Sequence, residues 1–353
     1  MAATTTDALA ERLFGALLGT VDMLSIFLGD RLGWYRSLVD DGPATASELA
    51  ERTGTHVRYA REWLEQQAVT GLLTVETDGT AETRRFAIPA ATAEVLTDTT
   101  SLNYLAPFGR MFAAVGPSLP QLLQAYRTGG GVSWEQLGAD AREAQADGNR
   151  PWYDSRLGPA LAGVPHLHEA LSRRGVRIVD VGCGGGWSSI ALKRAYPAAT
   201  VTGIDIDHPS IELARANAAA SGVDVEFRHG DGADLGDASY DAAFAFECVH
   251  DMPRPVEVLG AVRRALTTEG FLVVMDEAVA DAFAPDGDEM ERMMYGFSLL
   301  VCLPDGMASQ PSVGTGTVMR PSVLRGYATQ AGFTDLEVLP IEDFGFWRFY
   351  LLT

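Results

Sequence analysis

The sequence predicts an α/β fold in its second half: an open, mostly parallel sheet with an antiparallel C-terminal strand, preceded by a mostly helical N-terminal half. Three observations predict it. Strand-like and helix-like segments alternate from residue 172 onward, the first strand runs straight into a glycine-rich turn, and apolar residues before 172 recur at helical spacing with one short β-rich interruption. Length agrees, since 353 residues with 47% hydrophobic and 21% charged side chains can fill two ordinary domains and bury a core in each.

Residues 1–98 read as helices followed by a β-wing. The stretch 7–39 carries Leu13, Leu17, Leu24, Phe27 and Leu28 at spacings that form one wide apolar face. Next comes a short helix with Thr45 or Ser47 as N-cap and Gly54 as its stop. A longer helix over 56–70 ends at Gly71, and two strands, 72–76 and 85–88, flank a polar Asp78-Gly79 turn. Helix, turn, helix, wing is the order of a winged-helix module. Residues 99–171 form a helical connecting region, with breaks at Gly129-Gly130-Gly131 and from Gly148 to Pro151.

From 172 to 353 the expected strands are 176–181, 200–205, 225–229, 240–246 and 271–275, with a helix over 321–331 and a closing antiparallel pair at 336–339 and 346–352. Such a sheet binds ligands beyond the carboxyl ends of its strands, where the strand order reverses. The first strand ends in Asp180-Val181-Gly182-Cys183-Gly184-Gly185-Gly186-Trp187, a G-x-G-x-G spacing in which position 187 is tryptophan instead of a further glycine. Asp205 ends the second strand about 20 residues later, placed to accept from both ribose hydroxyls. Asp231 and Gly232 follow the third strand, where a carboxylate can accept from an adenine amine, and Phe246 and Glu247 follow the fourth. The bland alternative is that Asp205 and Asp231 cap helices or turns.

Composition narrows the partners. A formal net charge of -20, from 47 acidic and 27 basic residues, repels a phosphate backbone, so nucleic acid is not an expected partner. The three cysteines, Cys183, Cys248 and Cys302, lack the pairing of a zinc site or disulfide framework, as expected for a reducing cytoplasm. Asp22, Asp30 and Arg31 interrupt the N-terminal apolar run, so neither a leader nor a membrane span is expected. His166 and His168 have no partners at ligand spacing, and no metal is expected.

From Ser172 to the C-terminus the chain resembles the class I S-adenosylmethionine-dependent methyltransferases. Asp180 with Gly182, Gly184 and Gly186 resembles their first motif, Asp205 the ribose-binding acid, and Asp231 with Gly232 the adenine-flanking turn. The resemblance implies a Rossmann-like sheet, S-adenosyl-L-methionine as cofactor and S-adenosyl-L-homocysteine as product, bound by these residues with Cys183, Ile206, Phe246 and Glu247. The N-terminal pattern is similar to two-domain O-methyltransferases of plants and actinobacteria, which implies a winged-helix domain that dimerises and a small-molecule acceptor.

Methyl transfer is an in-line displacement, so holding both reactants aligned supplies most of the catalysis, and a base serves acceptors that must lose a proton. His250, in Val249-His250-Asp251-Met252-Pro253, matches the catalytic histidine of the plant O-methyltransferases, whereas Met252-Pro253 departs from their pattern. The competing reading makes His250 and Asp251 loop and helix caps. Glu277 orients a histidine, meets the substrate or is a solvated strand-end acid. A lid-like insertion over 278–320 carries Met290, Met293, Met294, Tyr295 and Phe297, and Met294, Tyr295 and Phe297 are the candidate acceptor-pocket residues there. Tyr104, Phe108, Met111 and neighbouring Phe112 are the candidates for an opposing wall; core packing is the alternative for each. Two other functions fit parts of the text: a DNA-binding regulator reading bases through Arg58 and Arg61, and an enzyme that keeps the cofactor fold without transferring methyl.

Overall fold

The computed structural model describes residues 5–77, 79–237 and 239–353, so Asp78 of the expected wing turn lies outside the described residues. The chain divides into two compact units, Met1–Ala114 and Val115–Thr353.

In the N-terminal unit the expected 7–39 helix is two helices, α1 (Thr6–Arg31) and α2 (Trp34–Asp40). Gly33 makes the break: its left-handed φ of 70° leaves the helical path at no steric cost, which the apolar spacing does not register. Helix α3 (Ala46–Thr53) begins in a capping box, with Thr45 Oγ1 accepting from Glu48 N and Glu48 accepting from Thr45 N, and Gly54 ends it. Helix α4 (Val57–Val69) follows, then the wing strands β1 (Thr74–Thr77) and β2 (Arg85–Ala87), paired antiparallel. Trp34, Tyr35, Leu49, Trp63, Leu64 and Phe86 form the core of this unit. The second half of α1 is fastened to α4: Trp63 Nε1 donates to Ser25 O at 3.0 Å, Gln66 Nε2 donates to Asp22 Oδ1 at 3.2 Å, and a Cβ on Gly29 would lie 2.4 Å from Trp63. Arg58 is paired with Glu62 at 2.5 Å and Arg61 with Glu82 at 3.6 Å, so both base-reading candidates already face acids. By length and composition, with a mean hydropathy of 1.5, α1 also meets the requirement for a membrane-crossing helix.

The C-terminal unit is built on a seven-stranded sheet. Its strands are β3 (Arg177–Val181), β4 (Thr200–Asp205), β5 (Glu226–His229), β6 (Tyr240–Phe246), β7 (Leu266–Glu277), β8 (Leu336–Val338) and β9 (Trp347–Leu352), in the spatial order β5-β4-β3-β6-β7-β9-β8. Strands β3 to β7 pair in parallel, and β9 runs antiparallel to both β7 and β8. The order reverses between β3 and β6, which places the switch point at the glycine turn. Alternation along β6 sends Ala242, Phe244 and Phe246 into one core layer and Ala243 and Ala245 into the other.

Strand β7 is longer than expected. Tyr240 pairs with Leu266 and Ala242 with Phe271, so residues 267–270 are absorbed in a register shift, and Asp276 and Glu277 pair with Arg348 and Trp347. Two turns of π-helix interrupt helices of this unit, Tyr153–Leu157 and Ser298–Cys302, the second inside the expected lid segment.

Candidate active site

The three glycines of the turn are required for different reasons. All have positive φ, 71° at Gly182, 48° at Gly184 and 80° at Gly186. A Cβ on Gly182 would lie 2.7 Å from Cys248 Cβ, and one on Gly186 would lie 2.8 Å from Ala214 Cβ and Phe227, so these two let loop, strand and helix close together. A Cβ on Gly184 would meet no protein atom within 4 Å. The space above Gly184 is open, and its backbone N–H points to Asp205 Oδ2 at 2.8 Å.

Asp205 also accepts from Asp207 N at 2.8 Å, and burial lifts its carboxyl above the usual range against those two hydrogen bonds. It caps no helix. That task falls to Asp207, which accepts from Ser210 N at 3.0 Å and is held by Arg142 Nε at 2.6 Å. Asp205 therefore keeps unused lone pairs at the strand tip. Ile206, next to it, is 68% exposed, an apolar surface beside the acid. Asp231 does cap the short turn Gly232–Asp234, accepting from Ala233 N at 2.9 Å, while a Cβ on Gly232 would crowd Val181 and Val258.

Three of the expected cofactor residues have buried side chains. Asp180 is 0% exposed and accepts from Ser188 and Ser189 Oγ, each at 2.6 Å, so it ties the start of the next helix to the strand; burial pushes its carboxyl up to about 6. Phe246 stacks on Phe244 at 5.4 Å within the core, because period-two alternation puts both on one sheet face. The Cys183 side chain is buried in the same layer and only its backbone follows the loop, with its N–H bonded to Ile204 O. The pocket candidates fall in both units. Tyr104 and Met111 are buried in the N-terminal unit, which also contains half-buried Phe108, and Met294 is buried in the C-terminal unit. Phe297 is half-buried, and exposed Tyr295 accepts from Arg320 at 3.3 Å.

At the tip of β6, Glu247 is the one non-glycine residue with positive φ among the described residues, at 50°. Its Oε2 accepts from Gln145 Nε2 at 3.2 Å and from Asn149 Nδ2, and its Oε1 accepts from Trp347 Nε1. Burial outweighs these bonds and pushes the carboxyl up to about 7. Gln145 and Asn149 sit one turn apart on the helix Ala139–Trp152, which carries Ala146 against the loop: a Cβ on Gly185 would lie 2.7 Å from Ala146 Cβ. The region was expected to be helical, but the expected break from Gly148 to Pro151 is absent, because the helix runs through both residues to Trp152; the signal for Gln145 and Asn149 is their i, i+4 spacing beside alanines.

His250 is 2% exposed and surrounded by acids. Asp276 Oδ1 lies 2.7 Å from Nδ1, Glu277 Oε2 lies 3.2 Å from the same atom, and Asp251 Oδ1 lies 3.2 Å from Nε2. Only the Asp276 contact is a hydrogen bond; Asp251 Oδ1, Asp276 Oδ2 and Glu277 Oε2 are buried without one. Burial alone would depress the imidazole, but the fields of Asp251, Asp276 and Glu277 hold its pKa well above the ordinary value. Two overlapping sets of metal-ligand type share His250, one with Asp251 and Cys302 and the other with Asp276 and Glu277. The backbone of the 278–320 segment lies on this cluster: Gly316 N donates to His250 O at 3.1 Å, Val313 N to Pro253 O at 3.0 Å, and a Cβ on Gly306 would lie 3.0 Å from Asp251 O.

Residues 172–305 match the methyltransferase domain family and residues 20–98 match the Rv2258c-like winged HTH domain family. The chain is 29% identical over 196 residues to the ubiquinone biosynthesis O-methyltransferase of Pseudomonas savastanoi pv. phaseolicola, covering 54% of this chain and 78% of that protein. It is 36% identical over 170 residues to the 27-O-demethylrifamycin SV methyltransferase of Amycolatopsis mediterranei, covering 45% of this chain and 59% of that one. Its fold is similar to that of the mitomycin 7-O-methyltransferase, with a TM-score of 0.71 at 23% identity over 99% of both chains. With a glycine turn at the switch point, an acid at the next strand tip and both domain matches, the chain carries an S-adenosylmethionine-dependent methyltransferase domain behind an N-terminal winged-helix domain.

Proposed function

We propose that this chain transfers methyl from S-adenosylmethionine to a hydroxyl oxygen of a small-molecule acceptor, acting as a cytoplasmic homodimer. The observation that carries the reading is the row of strand tips: open space above Gly184, Asp205 accepting from the Gly184 N–H, exposed Ile206 beside it, and Asp231 at the next tip. These residues fit a nucleoside, with Asp205 for the ribose hydroxyls, Ile206 against an adenine face and Asp231 toward its amine. Oxygen as the acceptor atom is supported by relatives named as O-methyltransferases. When bound, the cofactor supplies an activated methyl group. His250 is the candidate base: Asp276 fixes its ring through Nδ1, and Nε2, beside Asp251, is the atom that would take the acceptor proton. Purified protein given S-adenosylmethionine and a panel of phenolic and quinol acceptors is expected to release S-adenosylhomocysteine only when an acceptor is present. No measurable affinity for either cofactor form would overturn the reading.

Dimerisation is supported by α1, whose Leu13, Phe14, Leu17, Leu18, Val21, Leu24 and Leu28 are each 43–60% exposed. A spanning role for this helix would require undoing the Asp22 and Ser25 bonds to α4, so a second copy is the better cover. Sedimentation should give a dimer for the native protein and a monomer for the Leu13→Glu, Leu17→Glu double variant. A native monomer would remove the proposal.

A further inference from the structure

The acids around His250 are more than a base needs. One carboxylate suffices to fix an imidazole, and Asp276 does so through Nδ1 at 2.7 Å. Asp251 is left over: its Oδ1 is buried without a hydrogen bond although it lies 3.2 Å from His250 Nε2. At that distance a missing hydrogen bond means misdirection. The ring axis through Nε2 passes beside the oxygen, as it does when two ligand atoms are aimed at a shared third point. Two groups bound to one tetrahedral ion by arms of about 2.0 Å stand about 3.3 Å apart, so this separation is that of neighbouring ligands. Cys302 supplies a third vertex, since it, His250 and Asp251 each offer one ligand atom and the three atoms lie within 4.8 Å of one another.

We propose that His250 Nε2, Asp251 Oδ1 and Cys302 Sγ form a binding site for a divalent cation of the zinc class, and that its occupancy blocks His250 as a base. Imidazole, carboxylate and thiolate together select zinc over magnesium or calcium, which take oxygen ligands. The set at Nε2 is preferred to the one at Nδ1 because Asp276 already holds Nδ1, and a carboxylate on the far ring nitrogen is the usual support of a metal-bound histidine. Charge agrees. Asp251, Asp276 and Glu277 form ion pairs with His250 and with no arginine or lysine among the described residues, so a dication would balance acids that are now in excess. His250 is 2% exposed, but Asp251 and Cys302 are half-buried, which gives the ion an entry side. On binding, the thiol proton and the Nε2 proton of an imidazolium pass to water, metal–sulfur and metal–nitrogen bonds form, and nothing is oxidised. The expectation of no metal rested on chain spacing, and Cys302 reaches the cluster from a distant segment. Binding stands by itself; the block rests on the reading of His250 as the base.

Chelator-treated native protein titrated with zinc chloride is expected to bind a single ion at this site and to lose acceptor-dependent turnover in proportion to occupancy. Cobalt(II) in its place should give a near-ultraviolet thiolate charge-transfer band. Cys302→Ser should abolish that band and weaken zinc about 100-fold or more. Asp251→Asn should weaken zinc while keeping the band, and serves if Cys302→Ser does not fold. Native protein that binds no zinc, or equal zinc affinity in the native protein and both variants, would overturn the site. Full turnover with the site filled would overturn the block. Zinc held by these ligands in a protein that transfers methyl to no acceptor would overturn the proposed function and leave the site standing.

Discussion

Replacing His250 with alanine should lower turnover by about 10²- to 10⁴-fold, the usual worth of a positioned base, while calorimetric affinity for S-adenosylhomocysteine stays nearly unchanged. The accompanying pH profile follows from the charges facing the ring: Asp276 and Glu277 from β7, Asp251 from its own turn, and the Cys302 thiol, which burial pushes up to about 12. An imidazolium cannot accept a proton, and the folded pKa is raised above 6.5, so turnover in the native enzyme should climb as pH rises through that folded value. Stability should run the other way. A histidine with a raised folded pKa contributes stability fully present below its unfolded pKa and lost as pH rises through the folded one. Opposed limbs in rate and in denaturant midpoint, both flattened in His250→Ala, are the expected signature. Unchanged turnover in that variant would reduce the cluster to a structural tie between the β6 loop and the lid segment.

The parts of the fold legible in the sequence were those written in local patterns. Strands β4 and β6 and the helix Pro321–Ala331 lie where alternation and helix-start signals put them, and the capping box at Thr45 is a spacing rule made visible. What surrounds each side chain is information that local patterns lack. A strand end was identified correctly at Phe246, but which face its side chain occupies depends on the layer beneath, and it joins Phe244 in the core. Asp180 is part of a recognisable motif, yet its partners Ser188 and Ser189 show it bracing the loop from below. Asp276 was hidden by a strand boundary placed too early, and Gln145 and Asn149 by a chain separation of about 100 residues from Glu247. Strand tips are readable along the chain; what roofs them is set by tertiary packing.

Asp205→Ala should produce the other large effect, a loss of about 100- to 1000-fold in S-adenosylmethionine affinity, as two charge-assisted bonds to ribose hydroxyls disappear. The variant also strips the Gly184 and Asp207 backbone N–H groups of their acceptor, so the ligand-free protein should lose about 1–3 kcal/mol, read as a lower denaturant midpoint. Asparagine is no conservative substitute here, because one carboxylate oxygen faces each backbone N–H and an amide NH₂ would oppose one of them. Asp205→Ala should weaken S-adenosylhomocysteine and methylthioadenosine, which lacks the amino-acid end, by the same factor, since both carry the ribose. If Asp205→Ala bound both ligands as tightly as the native protein, the sugar would have to lie elsewhere, and the assignment of the whole row of strand tips would fall with it.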